Sequence, residues 1–395
     1  MLGCGAFAPM SRSYYESQGG HLGAKYDPEA ETYTYGKTPN NIAYCGPYTV
    51  NSFTAEDTVE FSLNGSYWNK DNINIKKIVW KYDDGKNALK AYNDAVSGII
   101  DAVKLNAEAL KKAEEDNVFN SFVYVSDTDA ASYMSFVNVN RDAHSNTSNS
   151  SLTTTLAANE IMRSRAALRN GHFRLALAFA LDRSAYNANS VGEELKYTSL
   201  INSYTPGNFV SLEEDVTVSI NGTDKTYVKG TYYGAIMQDQ LNADGVKIKV
   251  WDPTLEEGAG SSDGFDGWYN VENAKAELAK AIEELAAEGI TVDANNPIKV
   301  ELPYFSGSQI YANRAQSYKQ SIEAALEGKV EILLMECSDS KAWYYAGYYG
   351  NYGGDMNYDV YDVSGWGPDY GDPATYLDTF LPDYNGYMTM MLGIF

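Results

Sequence analysis

The segment from residue 298 to residue 335 restricts the possible folds more than any other part of the sequence. A strand-like segment at 298–302 is followed by apolar residues at helical spacing, and Gly328 ends that helical segment. A second strand-like segment follows at 330–335. Strand, helix and strand in this order form a β-α-β unit, so the segment predicts an α/β fold.

Two other segments have clear boundaries in the sequence. Asn270 is a suitable N-cap for a helix with a regular apolar face, and Gly289 ends that helix. Residues 216–227 predict a hairpin, because Asn221-Gly222 is a dipeptide typical of tight turns between antiparallel strands.

The segment 173–186 is rich in alanine and leucine and is apolar on nearly all sides. A helix without a polar face belongs in the interior of a domain, so the segment predicts one deeply buried helix. Asp182 and Arg183 place charges at its end.

The charge balance excludes whole classes of function. The chain has 30 Lys and Arg against 53 Asp and Glu, a formal net charge of −23. Such a surface repels phosphate, so we expect no nucleic-acid binding and no docking on an anionic membrane. No apolar run is long enough to span a membrane, and residues 1–10 show no export signal.

An apolar fraction of 44% is sufficient for packed cores, and a chain of this length is expected to form about two domains. The run at 140–151 contains almost no apolar residue and predicts a linker or an exposed loop. We therefore expect a domain boundary there, between residues 1–145 and 146–395.

The sequence contains no pattern typical of an enzyme or of a metal centre. Phosphate-binding, zinc-protease and nucleophile-elbow motifs are absent, and the cysteines and histidines are few and scattered. We therefore expect no catalytic residue, no cofactor and no metal ligand. The three cysteines of the chain are Cys4, Cys45 and Cys337, and its three histidines are His21, His144 and His172.

Tyrosine is concentrated at 341–387, which holds 11 of the 33 tyrosines together with seven acidic residues and one basic residue, Lys341. Aromatic rings and carboxylates both attract cations, so the segment suggests a cationic or amphipathic ligand. The alternative is a tyrosine-rich edge of the core in an acidic protein.

Four stretches, in order along the chain, resemble motifs of the extracytoplasmic solute-binding proteins that serve peptide and nickel ABC importers. The last of them, with the letters GWGPDYGDP, is similar to a signature of that family. The four stretches are residues 46–48 with 64–68, residues 98–101, residues 173–183 and residues 365–373.

The resemblance implies a two-lobed α/β fold of the type II, or cluster C, periplasmic-binding-protein class, incomplete at both ends. Residues 1–145 would be part of lobe I and residues 146–395 a truncated lobe II. The implied function is capture of extended oligopeptides for an ABC permease and its ATPase subunits. The resemblance also implies a monomer outside the cytoplasm, anchored to the membrane as a lipoprotein in its full-length form.

The resemblance implies a binding site in the signature. Asp369 matches the carboxylate that holds the free α-ammonium group of a peptide, and Trp366 would form a wall of a side-chain pocket. Gly365 and Gly367 would let a peptide backbone approach closely, and Tyr370 completes the set. The three charged residues outside this set are expected to form ion pairs on a helix surface or between lobes: Arg174, Asp182 and Arg183.

Asp372 is expected to support the turn before a helix that starts at Pro373. The signature lacks an Arg or Lys for a peptide carboxylate, so peptides of several lengths or a ligand without a carboxylate remain possible. The alternatives are an oligosaccharide or nickel-chelate binder of the same family, a surface peptide sensor or adhesion protein, and an acidic hydrolase.

Overall fold

The fold is described from a computed structural model of the chain, which describes residues 9–124, 130–142, 152–255, 262–349, 352–382 and 386–394. Residues 363 and 364 are described by their backbone only. The chain forms two compact units, Met1–Asp101 and Ala102–Phe395. None of the helices in the described ranges is long and apolar enough to cross a membrane.

The first unit contains a three-stranded antiparallel sheet, whose strands pair in chain order. Phe53, Val59 and Trp80 lie side by side across it, on a face that is largely apolar. Trp80 remains 63% exposed. The elements of this unit are α1 (Arg12–Ser17), β1 (Tyr48–Thr54), β2 (Thr58–Leu63), β3 (Lys77–Lys81) and α2 (Lys90–Val96).

In its described ranges, the second unit combines helices with three two-stranded sheets. Its strands are β4 (Ser132–Val137), β5 (Val216–Ile220), β6 (Thr223–Tyr227), β7 (Ile298–Phe305), β8 (Val330–Cys337) and β9 (Val360–Trp366). Its helices in the described ranges are α3 (Ala107–Glu115), α4 (Phe119–Phe122), α5 (Ala158–Arg169), α6 (Gly171–Ala180), α7 (Arg183–Val191), α8 (Tyr233–Ala243), α9 (Val271–Ala287), α10 (Gln309–Ala325), α11 (Ser340–Ala346), α12 (Ala374–Leu377) and α13 (Tyr387–Leu392).

The predicted β-α-β unit is confirmed. Strands β7 and β8 are parallel, with Ile298 opposite Val330, and α10 connects them. Helices α6, α9 and α10 supply buried side chains to the same core as these strands. Fully buried members of that core include Phe173, Ala281, Ile298, Ile322 and Ile332.

The hairpin and the capped helix are also confirmed. β5 and β6 are antiparallel, and Asn221 and Gly222 between them have φ angles of 48° and 80°. These left-handed values are the ones that a tight two-residue hairpin turn requires. The Asn270 side chain accepts a hydrogen bond from the N–H of Asn273 at the start of α9.

The prediction of one helix over 173–186 is wrong, because the chain forms two helices there. α6 ends at Ala180, and Asp182 is the N-cap of α7, where its carboxylate accepts a hydrogen bond from the N–H of Ala185 at 2.9 Å. The side-chain cap favours a helix start at this point over continuation of α6. Asp182 and Arg183 therefore lie at the start of α7 and not at the end of one long helix.

The predicted linker at 140–151 lies largely outside the described residues. β4 precedes it and pairs in antiparallel fashion with β9, which follows it. Residues from both sides of position 145 therefore share one sheet within the second unit. The assignment of 1–145 and 146–395 to two lobes stays a prediction.

Candidate functional site

The two-stranded sheet of β4 and β9 positions the signature. β9 ends at Trp366, which lies opposite Ser132, while Gly365 lies opposite Tyr133. β4 is the only strand paired with β9 within the described ranges. Just before β9, the N–H of Asp359 donates to the Glu301 carbonyl oxygen on β7 at 3.1 Å, so β7 adjoins the start of β9. At residues 365–366, no strand of the described ranges pairs with the opposite edge of β9.

Thr375 fixes the two residues that the sequence singles out most strongly. The indole N–H of the partly buried Trp366 donates a hydrogen bond to the Thr375 carbonyl oxygen at 2.8 Å. The backbone N–H of Asp369 donates to the Thr375 hydroxyl at 2.9 Å. Thr375 itself is buried. One residue at the start of α12 thus holds both Trp366 and Asp369 in place.

The Asp369 side chain is exposed, and among the described residues its carboxylate accepts no hydrogen bond and forms no ion pair. Asp372 behaves differently, because its carboxylate accepts a hydrogen bond from the N–H of Ala374 at 2.8 Å. The expected turn-supporting role of Asp372 is therefore confirmed. Asp369 is left with a carboxylate that can receive a ligand.

The Tyr370 hydroxyl donates a hydrogen bond to Asp378 Oδ2 at 2.6 Å. This bond is the main cause that raises the pKa of Tyr370 to about 12. The phenol therefore stays neutral, and its hydroxyl already has a partner in the protein. The ring and the lone pairs of the hydroxyl oxygen are left to contact a ligand.

The two predicted glycines differ in their surroundings. A Cβ atom at Gly365 would lie 2.6 Å from Cε1 of Tyr133, whereas a Cβ at Gly367 would meet open space. A side chain at 365 would therefore displace the Tyr133 ring, which lies across Gly365. Sequence reasoning missed Tyr133, because nothing in the sequence reveals which residue of β4 lies opposite Gly365.

A buried group of charges, the Arg141 cluster, lies next to the start of β9. It consists of Arg141, Glu301 and Asp359, whose side chains are 1% exposed or less. Arg141 Nη2 lies 2.6 Å from Glu301 Oε2, and Arg141 Nη1 lies 3.1 Å from Asp359 Oδ2. The N–H of Glu301 donates to Asp359 Oδ2 at 2.9 Å. The cluster therefore joins β7 to the residue before β9.

Burial and charge both act on the pKa values of Asp359 and Arg141 in this cluster. Burial raises the pKa of the Asp359 carboxyl above its usual range, although Arg141 acts in the opposite direction. Burial alone would lower the pKa of Arg141, but the charges of Asp359 and Glu301 reverse this effect and raise it. One guanidinium thus compensates two carboxylates in a region without solvent.

A second polar network holds the middle of β9. The Asp362 carboxylate accepts hydrogen bonds from the Ser135 hydroxyl on β4, at 2.8 Å, and from the Tyr186 hydroxyl on α7. The Arg314 guanidinium carbon lies 4.3 Å from the centroid of the Tyr186 ring, a cation–π contact. Burial, followed by the charge of Asp362, raises the pKa of Tyr186 well above its ordinary value. β9 is therefore bonded to β4 and α7, and Arg314 on α10 packs against the same Tyr186 ring.

The charged residues around α6 and α7 have separate roles. Arg183 forms the expected ion pair, with Asp266 at 2.8 Å. Arg174 instead donates hydrogen bonds to the carbonyl oxygens of Leu168 and Arg169, at 2.7 and 2.8 Å, and so satisfies the last turn of α5. Asp182 is the N-cap of α7. The ion-pair prediction is right for Arg183, whereas Arg174 and Asp182 form hydrogen bonds to backbone groups instead.

The tyrosine-rich segment contributes three fully buried rings to the interior. Tyr358, Tyr361 and Tyr376 are at most 1% exposed, and the Tyr361 hydroxyl donates to the Trp343 carbonyl oxygen at 2.9 Å. Tyr349, in contrast, is 54% exposed. For the three buried rings, the observed packing favours the core interpretation over direct ligand binding.

No group of three or more His, Cys, Asp or Glu side chains in the described ranges is arranged to hold a metal ion. Cys337 is buried and Cys45 is exposed. Cys4 and His144 lie outside the described residues.

We expect Thr375→Val to loosen the Asp369 turn. Valine has nearly the same shape but offers no oxygen to the N–H of Asp369, a loss of about 1 kcal/mol. Hydrogen exchange of the Asp369 amide should become about fivefold faster, measured by mass spectrometry on peptides that cover residues 367–371. Thr375→Ser keeps the hydroxyl and serves as the control. Equal exchange in both variants would show that this hydrogen bond does not hold the turn.

Comparisons with known proteins give one consistent result. A family model described as "Bacterial extracellular solute-binding proteins, family 5 Middle" matches residues 7–388. Oligopeptide-binding protein SarA of Streptococcus gordonii is 29% identical over 96% of this chain and 50% of its own length. Oligopeptide-binding protein AliA of Streptococcus pneumoniae is 28% identical over 98% of this chain and 52% of its own length. The chain spans about half the length of these relatives.

Two solved structures resemble the chain in fold. The substrate-binding domain of an oligopeptide ABC transporter from Bacillus anthracis has a TM-score of 0.59 at 16% identity, over 98% of this chain and 55% of that one. Listeria monocytogenes OppA bound to peptide has a TM-score of 0.53 at 18% identity, over 98% of this chain and 56% of that one. These likenesses confirm the predicted fold class.

Proposed function

Since the chain belongs to the bacterial extracellular solute-binding proteins of family 5, we propose that it is part of the substrate-binding component of an ABC importer. In this role it captures extended oligopeptides outside the cytoplasm and delivers them to a permease driven by ATPase subunits. The names of its relatives, which are oligopeptide-binding proteins, support this substrate class. The membrane anchor that the resemblance implies belongs to the same proposal.

The observation that carries the proposal is the strand edge at residues 365–367 together with the exposed carboxylate of Asp369. An extended peptide presents the same N–H and C=O groups whatever its side chains are. It can therefore pair with the unpartnered edge of β9 as an additional strand. The open space at Gly367 leaves room for a second backbone to approach. Such pairing explains how peptides of different sequence can be accepted.

Asp369 gives this binding mode a direction. Its carboxylate lies three residues beyond the end of β9 and has no hydrogen-bonding partner among the described residues. The α-ammonium group of a peptide is a cation that occurs only at one end of the backbone. A charge-assisted hydrogen bond to Asp369 therefore fixes both the orientation and the register of the peptide.

Trp366 and Tyr370 complete the proposed site. The indole N–H of Trp366 donates to Thr375 and the hydroxyl of Tyr370 donates to Asp378, so the donor of each side chain is already used within the protein. What both can offer a ligand is ring surface. We assign both residues to the walls of side-chain pockets, where aromatic rings contribute contact area without selecting a particular sequence.

Thermal unfolding of the purified protein with and without ligand tests the proposal. A ligand that binds only the folded state raises the melting temperature by mass action. We expect a rise with peptides that have a free amino terminus and a smaller rise with their N-acetylated forms. Oligosaccharides and nickel are the controls. A rise with either control but not with peptides would contradict the proposed substrate class.

A further inference from the structure

Tyr133 combines exposure with an unusual position on β4. Its side chain is 67% exposed, yet its ring lies against the backbone of the neighbouring strand. The ring occupies the space that a Cβ atom on residue 365 would fill. From that Cβ position, the Tyr133 atoms Cε1, Cδ1 and Cζ would lie at 2.6, 2.8 and 3.3 Å. The ring therefore leans across β9 at Gly365 and does not stand upright over its own strand.

The consequence concerns the strand position beyond β9. Residues that lie opposite each other on neighbouring strands point to the same face of a sheet. A peptide paired with the free edge of β9 would lie about 4.8 Å beyond Gly365. Its side chain opposite Gly365 would project from the face that carries the Tyr133 ring. Glycine supplies no side chain between the two, so the ring and the peptide side chain become neighbours.

We propose that Tyr133 is a specificity-determining residue that contacts the ligand side chain opposite Gly365 and favours aromatic or large aliphatic groups there. This inference rests on the proposed peptide-binding function. Contact with an aromatic ring stabilises an apolar side chain beyond the area that it buries. Tyr133 thus adds a preference at one peptide position to a binding mode that otherwise depends on the backbone.

The test compares defined peptides on three forms of the protein. The peptides have a free amino terminus and an alanine background, and phenylalanine or glycine replaces alanine at each position in turn. The proteins are the unaltered form, Tyr133→Ala and the matched control Tyr133→Phe. Dissociation constants are measured by isothermal titration calorimetry.

We expect Tyr133→Ala to weaken binding about three- to tenfold for phenylalanine at one position and to leave the glycine peptide at that position nearly unchanged. Tyr133→Phe should retain the preference, because it keeps the ring. Gly365→Ala should reduce it as well, because the added methyl group displaces the ring.

An equal loss for the phenylalanine and glycine peptides at every position would overturn the assignment of Tyr133. The same holds if Tyr133→Ala leaves all affinities unchanged. If the unaltered protein binds none of the peptides, the proposed function itself fails, and this result is distinct from both others. Far-ultraviolet circular dichroism of each variant confirms that a loss of preference does not reflect unfolding.

Discussion

Arg141→Met is expected to lower the free energy of unfolding of the protein by about 3 to 5 kcal/mol, because it leaves the carboxylates of Glu301 and Asp359 buried without their guanidinium. Methionine keeps most of the side-chain volume, so the loss reflects charge and hydrogen bonding more than an empty cavity. Urea unfolding followed by tryptophan fluorescence measures the change.

Two further variants separate this effect from general damage. Lys280→Met removes an exposed ion pair with Glu277 on α9 and should change the free energy of unfolding by no more than about 0.5 kcal/mol. Adding Asp359→Asn to Arg141→Met removes one of the two uncompensated carboxylate charges. The double variant should therefore regain part of the lost free energy of unfolding. If the double variant were no more stable than Arg141→Met alone, the uncompensated charge of Asp359 would not be the cause.

The direction in which Asp359 affects the free energy of unfolding follows from the shift of its pKa. Burial raises the pKa of this carboxyl in the folded protein above its unfolded value. The folded state therefore binds the proton more tightly, and the contribution of Asp359 to stability decreases as the pH rises through its folded pKa. The ionised form of Asp359 is therefore disfavoured in the folded protein, so its replacement by a neutral side chain is favourable once Arg141 is absent.

The sequence predicts those parts of the fold whose signals are local. The β-α-β unit, the hairpin at Asn221-Gly222 and the helix capped by Asn270 depend on periodicity and on turn residues, which act within a few positions. The division into α6 and α7 was missed because the apolar period continues through it. Only the side chain of Asp182, which caps the second helix, reveals the break.

Less of the candidate site was predictable. The resemblance singled out Asp369 and Trp366 as candidate site residues, but not the contacts that position them. Thr375 is near both in sequence, but only the folded turn shows that it bonds to each. Tyr133 and Arg141 reach β9 and its start through strand pairing and a buried ion pair between distant parts of the chain. No period or spacing within one segment encodes such pairings.

Asp369→Asn is expected to weaken the binding of peptides with a free amino terminus by about 10- to 100-fold. Asparagine keeps the size of the side chain and a carbonyl oxygen but removes the charge that pairs with the α-ammonium group, and a hydrogen bond to a charged group contributes about 1.5 to 3 kcal/mol. Isothermal titration calorimetry with free and N-acetylated forms of one peptide measures the change. The acetylated form should lose little, since it has no ammonium group.

Asp372→Asn is the matched control for this prediction. It removes the same charge three residues away, while the amide oxygen can still accept the hydrogen bond from the N–H of Ala374. A general electrostatic attraction between an acidic protein and a cationic ligand would make both variants lose affinity to a similar degree. A direct contact affects Asp369→Asn alone, and only for the free amine. If Asp369→Asn lost equal affinity for the free and the acetylated peptide, Asp369 would not be the residue that binds the ammonium group, even if the protein binds peptides.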